Sequence, residues 1–344
     1  MNTSLENPKK NYGISLLRIF FIFMLICFHY DGIIGASRQY YTLREVAAPI
    51  FMMIAFILCE KVITSNDLSI QKKRITRLLI PYLFWGVTTF LLLFVLNLFT
   101  RAFPVSFADL ATQILLGNSE PIDPPLWFQW ELMVLTICFI FLYRVASILK
   151  GIADYVFITL AVLISVFFYY LQYSGINATL FAGLGYGVQG SLGRFVEMWV
   201  FATAGVIIAK FDVVGKLRQH FLASLVILVI LLADIMKDPS VLKYPATTFC
   251  YAGIPNLVIA LLFVLLFMVF PFEKMPEWIL KIIDLFSSYT LGIFCVHWTV
   301  GKMLNLVWPL LFNTKSTFKE CIVIYFVSFA LCYLVGKANN KLVK

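Results

Sequence analysis

The chain has 344 residues, of which 61% are hydrophobic and only 13% charged, with a net charge of +9. A soluble domain carries about 25% charged residues, so this balance excludes a soluble globular protein and points to a polytopic membrane protein. The positive charge does not argue for nucleic acid, because the basic residues fall in short segments between apolar runs, as in loops kept on the cytoplasmic side.

A spanning helix needs about 20 apolar residues, and that ruler predicts an all-α chain of about ten transmembrane helices in one domain over residues 1–344. Lys9 and Lys10 precede a long apolar run with no small-residue cleavage site, the pattern of an uncleaved first span rather than a removed signal peptide. That first span covers 14–34 and holds Arg18 and His29. The second covers 46–63, with Pro49 near its start. A basic stretch containing Lys72, Lys73, Arg74 and Arg77 leads into the third, 78–99, where Pro81 lies in the first turns and is tolerated there. A longer loop over 100–125 is rich in proline. The fourth span opens at Leu126-Trp127-Phe128 and ends near Arg144, with Trp127 and Trp130 suited to an interface belt. The fifth covers 155–171. A glycine-rich loop over 183–190 follows; it has neither the spacing nor the GK[ST] ending of a phosphate loop. The remaining spans are 195–209, 221–236, 251–270, 289–312 and 321–336, with an amphipathic linker over 273–288 before the ninth.

This count gives an orientation. With both termini cytoplasmic, Arg74, Arg77, Arg144, Lys150, Lys210, Lys216 and Arg218 fall inside, whereas few basic residues, Arg38, Arg44 and Arg101 among them, fall in outer loops. The seven cysteines are scattered without a CxxC pair, so neither a disulfide framework nor a zinc site is indicated. The three histidines are too dispersed to argue for a metal.

Arg18 and His29 carry the chemical interest. They are eleven residues apart, which on a helix returns to within about 20° of one face and separates them by roughly 16 Å along the axis. Ionisable groups inside a span usually face a polar cavity. An imidazole there can act as base or nucleophile, or be a histidine satisfied by a neighbouring helix. Arg18 can hold a phosphate or a carbonyl in forked geometry, or reach to headgroups. Glu131 and Glu197 lie in the outer parts of their spans. Either can fix the tautomer of His29, or pair structurally, as Glu197 with Arg194 at i,i+3. His297 can line the acceptor side or bond a neighbouring helix. Asp31, two residues after His29, is off its face.

Several of these pieces resemble the acyltransferase-3 family of integral-membrane O-acyltransferases. Arg18 and His29 have the spacing of that family's first helix, and Arg74 and Arg77 are similar to its Arg-x-x-Arg at the start of the third, followed by Leu78-Leu-Ile-Pro81-Tyr82. Ala48-Pro-Ile-Phe51-Met-Met-Ile-Ala-Phe56, Leu126-Trp127-Phe128 and Ser288-Tyr-Thr-Leu-Gly292-Ile-Phe-Cys-Val-His297 resemble its second, fourth and ninth helices. The resemblance implies transfer of an acyl group, most often acetyl, from cytoplasmic acyl-CoA to a sugar hydroxyl of a surface polysaccharide such as O-antigen, or its lipid-linked precursor, in a bacterial cytoplasmic (inner) membrane. His29 and Arg18 would then be catalytic. Arg74 and Arg77 would hold the phosphates of acetyl-CoA, unless they serve topology alone. Glu131, Glu197, His297 and Trp127 would stand around them or on the acceptor side, with no metal. The partners implied are membrane lipid, the glycan acceptor and glycan-assembly proteins, without a fused extracytoplasmic domain. The rival readings are a lipid-linked glycan flippase, which would call for repeated halves, and a glycan polymerase, which would call for a larger outer loop.

Overall fold

Lipid offers no partner to a backbone N–H or C=O, so a chain this apolar crosses it with every backbone group satisfied internally. The structure, a computed structural model that describes residues 11–30, 38–101, 104–119, 122–174, 186–237, 254–311, 318–339 and 342, does so with helices, and no strand occurs among the described residues. In chain order these are α1 (Tyr12–Tyr30), α2 (Arg38–Glu45), α3 (Ala47–Ile63), α4 (Leu68–Thr100), α5 (Phe107–Leu116), α6 (Leu126–Ala146) and α7 (Ala153–Tyr173). They continue as α8 (Tyr186–Lys210), α9 (Val213–Gln219), α10 (Phe221–Lys237), α11 (Ile254–Val269), α12 (Glu277–Ser288), α13 (Thr290–Leu311) and α14 (Phe318–Ala338).

Among the described residues, eight helices are long and apolar enough to cross a membrane, and two bent pairs raise the number to ten. In the bent pairs, α9 meets α10 at 113° and α12 meets α13 at 56°. The seventh and ninth expected spans are therefore the longer arms of two broken rods. The expected amphipathic linker is α12, which exposes Trp278, Ile282 and Leu285 and buries Ile283 and Ser287.

Two loops differ from the sequence expectation. The sixth span starts earlier than 195, because α8 is already helical at Tyr186, inside the expected glycine-rich loop; Gly183 and Gly185 lie outside the described residues, as does Asp31. The stretch over 100–125 is no simple surface loop. It contains α5, which opens with a capping box between Ser106 and Asp109 and ends at Gly117 with φ +69°, a left-handed stop that favours glycine. Gln113 at the end of α5 is fully buried, and so are Ser119, Ile122 and Asp123. The Tyr82 hydroxyl donates to the Gln113 carbonyl, so the segment folds back along α4 instead of staying at its end. In consequence α6 starts well down α4: Gln129 in its first turn donates from Nε2 to the Leu78 carbonyl at 2.8 Å. Thr89 on α4 joins the same region, with its hydroxyl 2.9 Å from that of Thr299 on α13 and 3.4 Å from the Asp123 carboxylate.

The core runs through α1, α3, α6, α8, α11 and α13. Helices associate in lipid by close packing around small residues. Gly205 on α8 shows this, since a Cβ there would fall 2.4 Å from the Met53 carbonyl oxygen on α3. By contrast α7 and α10 expose apolar side chains such as Leu163, Val166, Val226 and Ile230, as befits a lipid-facing rim. Lys210 ties α8 to α7 and α3 through Asp154 at 2.8 Å and Glu60 at 3.6 Å.

Candidate active site

Arg18, Leu25 and His29 stand at i, i+7 and i+11 on α1, one helical face, and that face lines two cavities. The larger is about 370 Å³ and takes Arg18, Arg74, Gln129, Ser288 and Thr290 among its walls. The smaller is about 20 Å³ and takes His29, Arg44, Trp127 and Phe28 among its walls. Phe128 and Phe294 belong to both. The larger cavity has two guanidinium groups and no carboxylate in its lining, and the charge of Arg74 reaches Arg18. The first turn of α13 also opens on it through Thr290 and Leu291, and a helix N-terminus carries partial positive charge. Such a lining favours negative charge over positive. Arg77, by contrast, is exposed and not among the residues lining it.

The smaller cavity is aromatic and basic. The His29 ring meets Trp298 edge-on at 5.2 Å between centroids and Phe28 likewise at 5.2 Å. It lies 5.5 Å from the ring of His297. His297 is fully buried. Its Nδ1 lies 2.8 Å from the Phe294 carbonyl and 3.1 Å from that of Ile293. A carbonyl only accepts, so Nδ1 carries the hydrogen and Nε2 presents its lone pair. That Nε2 has no hydrogen-bond partner among the described residues. Two imidazoles thus meet, one opening on the cavity and one with a basic nitrogen held ready.

The carboxylates lie elsewhere. Among the described residues, His297 and Arg44 are the ionisable groups that act on His29, whereas Glu131 has Arg194 and Glu197 as its ionisable neighbours. Glu131 and Glu197 are both buried and group with Arg194. Arg194 also covers Trp127, its guanidinium carbon 4.9 Å from the ring centroid. Trp127 is therefore a buried wall of the smaller cavity.

The charge pattern alone puts Arg44 in an outer loop, but the fold brings it to the wall of the smaller cavity. The short helix α2 runs into α3, with Val46 N–H donating to the Thr42 carbonyl at 3.1 Å. This carries Arg44 over the end of α1, where Nη2 donates to the Phe28 carbonyl at 2.6 Å. The guanidinium also lies 5.1 Å from the Phe28 ring centroid and 5.5 Å from that of Tyr40. The final carbonyls of a helix lack intrahelical donors, and a cation supplies one here. The sequence pattern does not single out Tyr30 and Trp298 either. The Tyr30 hydroxyl donates to the Trp298 carbonyl at 2.6 Å, locking α1 to α13 one residue beyond His29. Among the described residues no group of three His, Cys, Asp or Glu side chains could hold a metal.

Comparison with curated proteins and with solved structures gives no match. The family model described as an acyltransferase domain matches residues 11–337, from the start of α1 to the last turn of α14. With that coverage and this bundle of spanning helices, the chain belongs to the acyltransferase-3 family and is a multi-pass membrane acyltransferase.

Proposed function

We propose that this acyltransferase moves an acetyl group from acetyl-CoA to a sugar hydroxyl of a cell-surface glycan or its lipid-linked precursor, in a bacterial cytoplasmic membrane. The observation that carries the reading is the single face of α1 that gives Arg18 to the larger chamber and His29 to the smaller. With the orientation that the basic residues suggest, the larger chamber opens toward the cytoplasm. Arg18 and Arg74 take the anionic end of the donor there, with Arg77 at the mouth. The thioester then lies against the phenylalanine rings, with its acetyl group toward His29.

The chemistry needs one proton to change hands twice. The acceptor hydroxyl gives its proton to imidazole as its oxygen attacks the thioester carbonyl carbon. The C–S bond breaks, the C–O bond of the ester remains, and the thiolate takes the proton back from the imidazolium to leave as coenzyme A thiol. The partner imidazole of His297 shares the positive charge while it lasts, and Arg44 faces the oxygen that becomes anionic. Such acid–base work contributes about 10²–10⁴-fold. Membrane vesicles carrying the native glycan, given acetyl-labelled acetyl-CoA, test it. His29→Ala should insert normally and lose at least about 100-fold in labelled glycan. Full labelling by that variant would remove His29 from the reaction.

A further inference from the structure

The two chambers differ about eighteenfold in volume, 370 against 20 Å³, and what divides them is aromatic. Phe51 on α3, Phe128 on α6 and Phe294 on α13 meet at centroid distances of 5.3 Å for Phe128–Phe294 and 6.4 Å for each of the other two pairs. All three line the larger chamber, and Phe128 and Phe294 line the smaller as well. Phe128 and Phe294 are 6% and 5% exposed. Each ring comes from a different helix, and each pair is inclined by more than 50°, so the three close around a point instead of stacking in a column.

The geometry points to Phe51, Phe128 and Phe294 as the aperture that fixes the length of the acyl group, admitting a two-carbon acyl and refusing longer ones. This rests on the acyl-transfer reading above. A cavity needs about 10–15 Å³ by this measure to hold one water, so the space beside His29 accepts one or two groups of that size, enough for the methyl of acetyl with the acceptor oxygen beside it and little more. The thioester carbonyl would lie at the edge of the rings nearer His29, where Arg44 and the acceptor oxygen reach it, with the methyl of acetyl in the smaller chamber. A butyryl chain would drive two further methylenes into Ala48, Pro125 or Trp127, which complete its wall. Interiors are close-packed, and overfilling them is resisted. The donor's long arm stays in the larger chamber, where the volume is.

The test is the ratio of butyryl to acetyl transfer, measured in membrane vesicles carrying the native glycan and supplied with each labelled acyl-CoA. A ratio is insensitive to how much of a variant folds, since misfolded protein lowers both transfers equally. The unaltered protein should prefer acetyl by about 100-fold, the order of discrimination that one or two methylenes allow in a shaped apolar pocket. Phe128→Ala and Phe294→Ala should each raise the butyryl-to-acetyl ratio at least about tenfold. Phe128→Leu, which keeps an apolar side chain of core size, should raise it in the same direction by less. Acetyl transfer with an unchanged ratio in all three variants would overturn the aperture and leave the acyl-transfer reading standing. No transfer of either acyl group by the unaltered protein would overturn that reading and the aperture with it.

Discussion

At the scale of single residues, the most informative atom is Nε2 of His297. Its ring is oriented by two carbonyls of its own helix, so the tautomer is set by backbone and not by a carboxylate. His297→Asn keeps a donor near those carbonyls but has no basic nitrogen. It should therefore leave the protein folded, judged by its unfolding temperature in detergent, and lower transfer by about 10- to 100-fold. Arg44 makes a different prediction because it does two jobs, bonding the end of α1 and facing the His29 cavity. A hydrogen bond from a charged donor is worth about 1.5–3 kcal/mol, reduced here by partial exposure. Arg44→Ala should lower both the unfolding temperature and transfer, whereas Arg44→Lys, which keeps the charge without the planar fork, should recover stability better than activity. Arg18 and His29 were readable in the sequence because helical period alone puts them on one face. Arg44 was not, because its place depends on where a short helix lies over another.

At the scale of elements, α1 and α13 approach so closely that Gly301 is required. A Cβ at Gly301 would lie 2.1 Å from Cζ of Tyr30, and that ring cannot swing aside without losing its bond to the Trp298 carbonyl. Overpacking of this kind costs about 1–3 kcal/mol. Gly301→Ala should lower the unfolding temperature and, by tilting the end of α1, the transfer rate. The double variant Gly301→Ala with Tyr30→Ala should regain part of the lost stability, because the colliding ring is gone. Loss equal to the sum of the single variants would show that the two residues do not interact. The elements also mark where sequence reading stops. Long apolar runs announced α1, α3, α6 and α7 within a few residues, whereas α4 begins at Leu68, ten residues before the expected 78, because the basic stretch ahead of the apolar run is helical too. The segment holding α5 reads as a proline-rich loop because α5 is too short to span, and its burial against Tyr82 and Gly86 is tertiary. Likewise the 113° bend at His220 and the 56° bend at Tyr289 have no proline or glycine at the break to announce them.

At the scale of the whole molecule, the larger chamber presents an electrostatic problem that a ligand solves. Two arginines in a lining without a carboxylate repel each other in surroundings that screen poorly. Such an arrangement costs stability until an anion arrives, so an anion that fits should stabilise the whole bundle. Coenzyme A has the phosphates for it, and a ligand present at about 100 times its Kd adds roughly 2.7 kcal/mol to the native state. The unfolding temperature of the purified protein in detergent should therefore rise with coenzyme A concentration, and less at high salt. Arg18→Ala and Arg74→Ala should each be more stable than the unaltered protein without ligand, because one of two like charges is gone, and should respond less to coenzyme A. Arg77→Ala, whose side chain is exposed, should keep most of the response. The two effects have opposite signs in the same variant, a signature that simple loss of packing cannot give. If Arg74→Ala lost stability without ligand and still gained from coenzyme A as the unaltered protein does, the chamber would not be the donor's place.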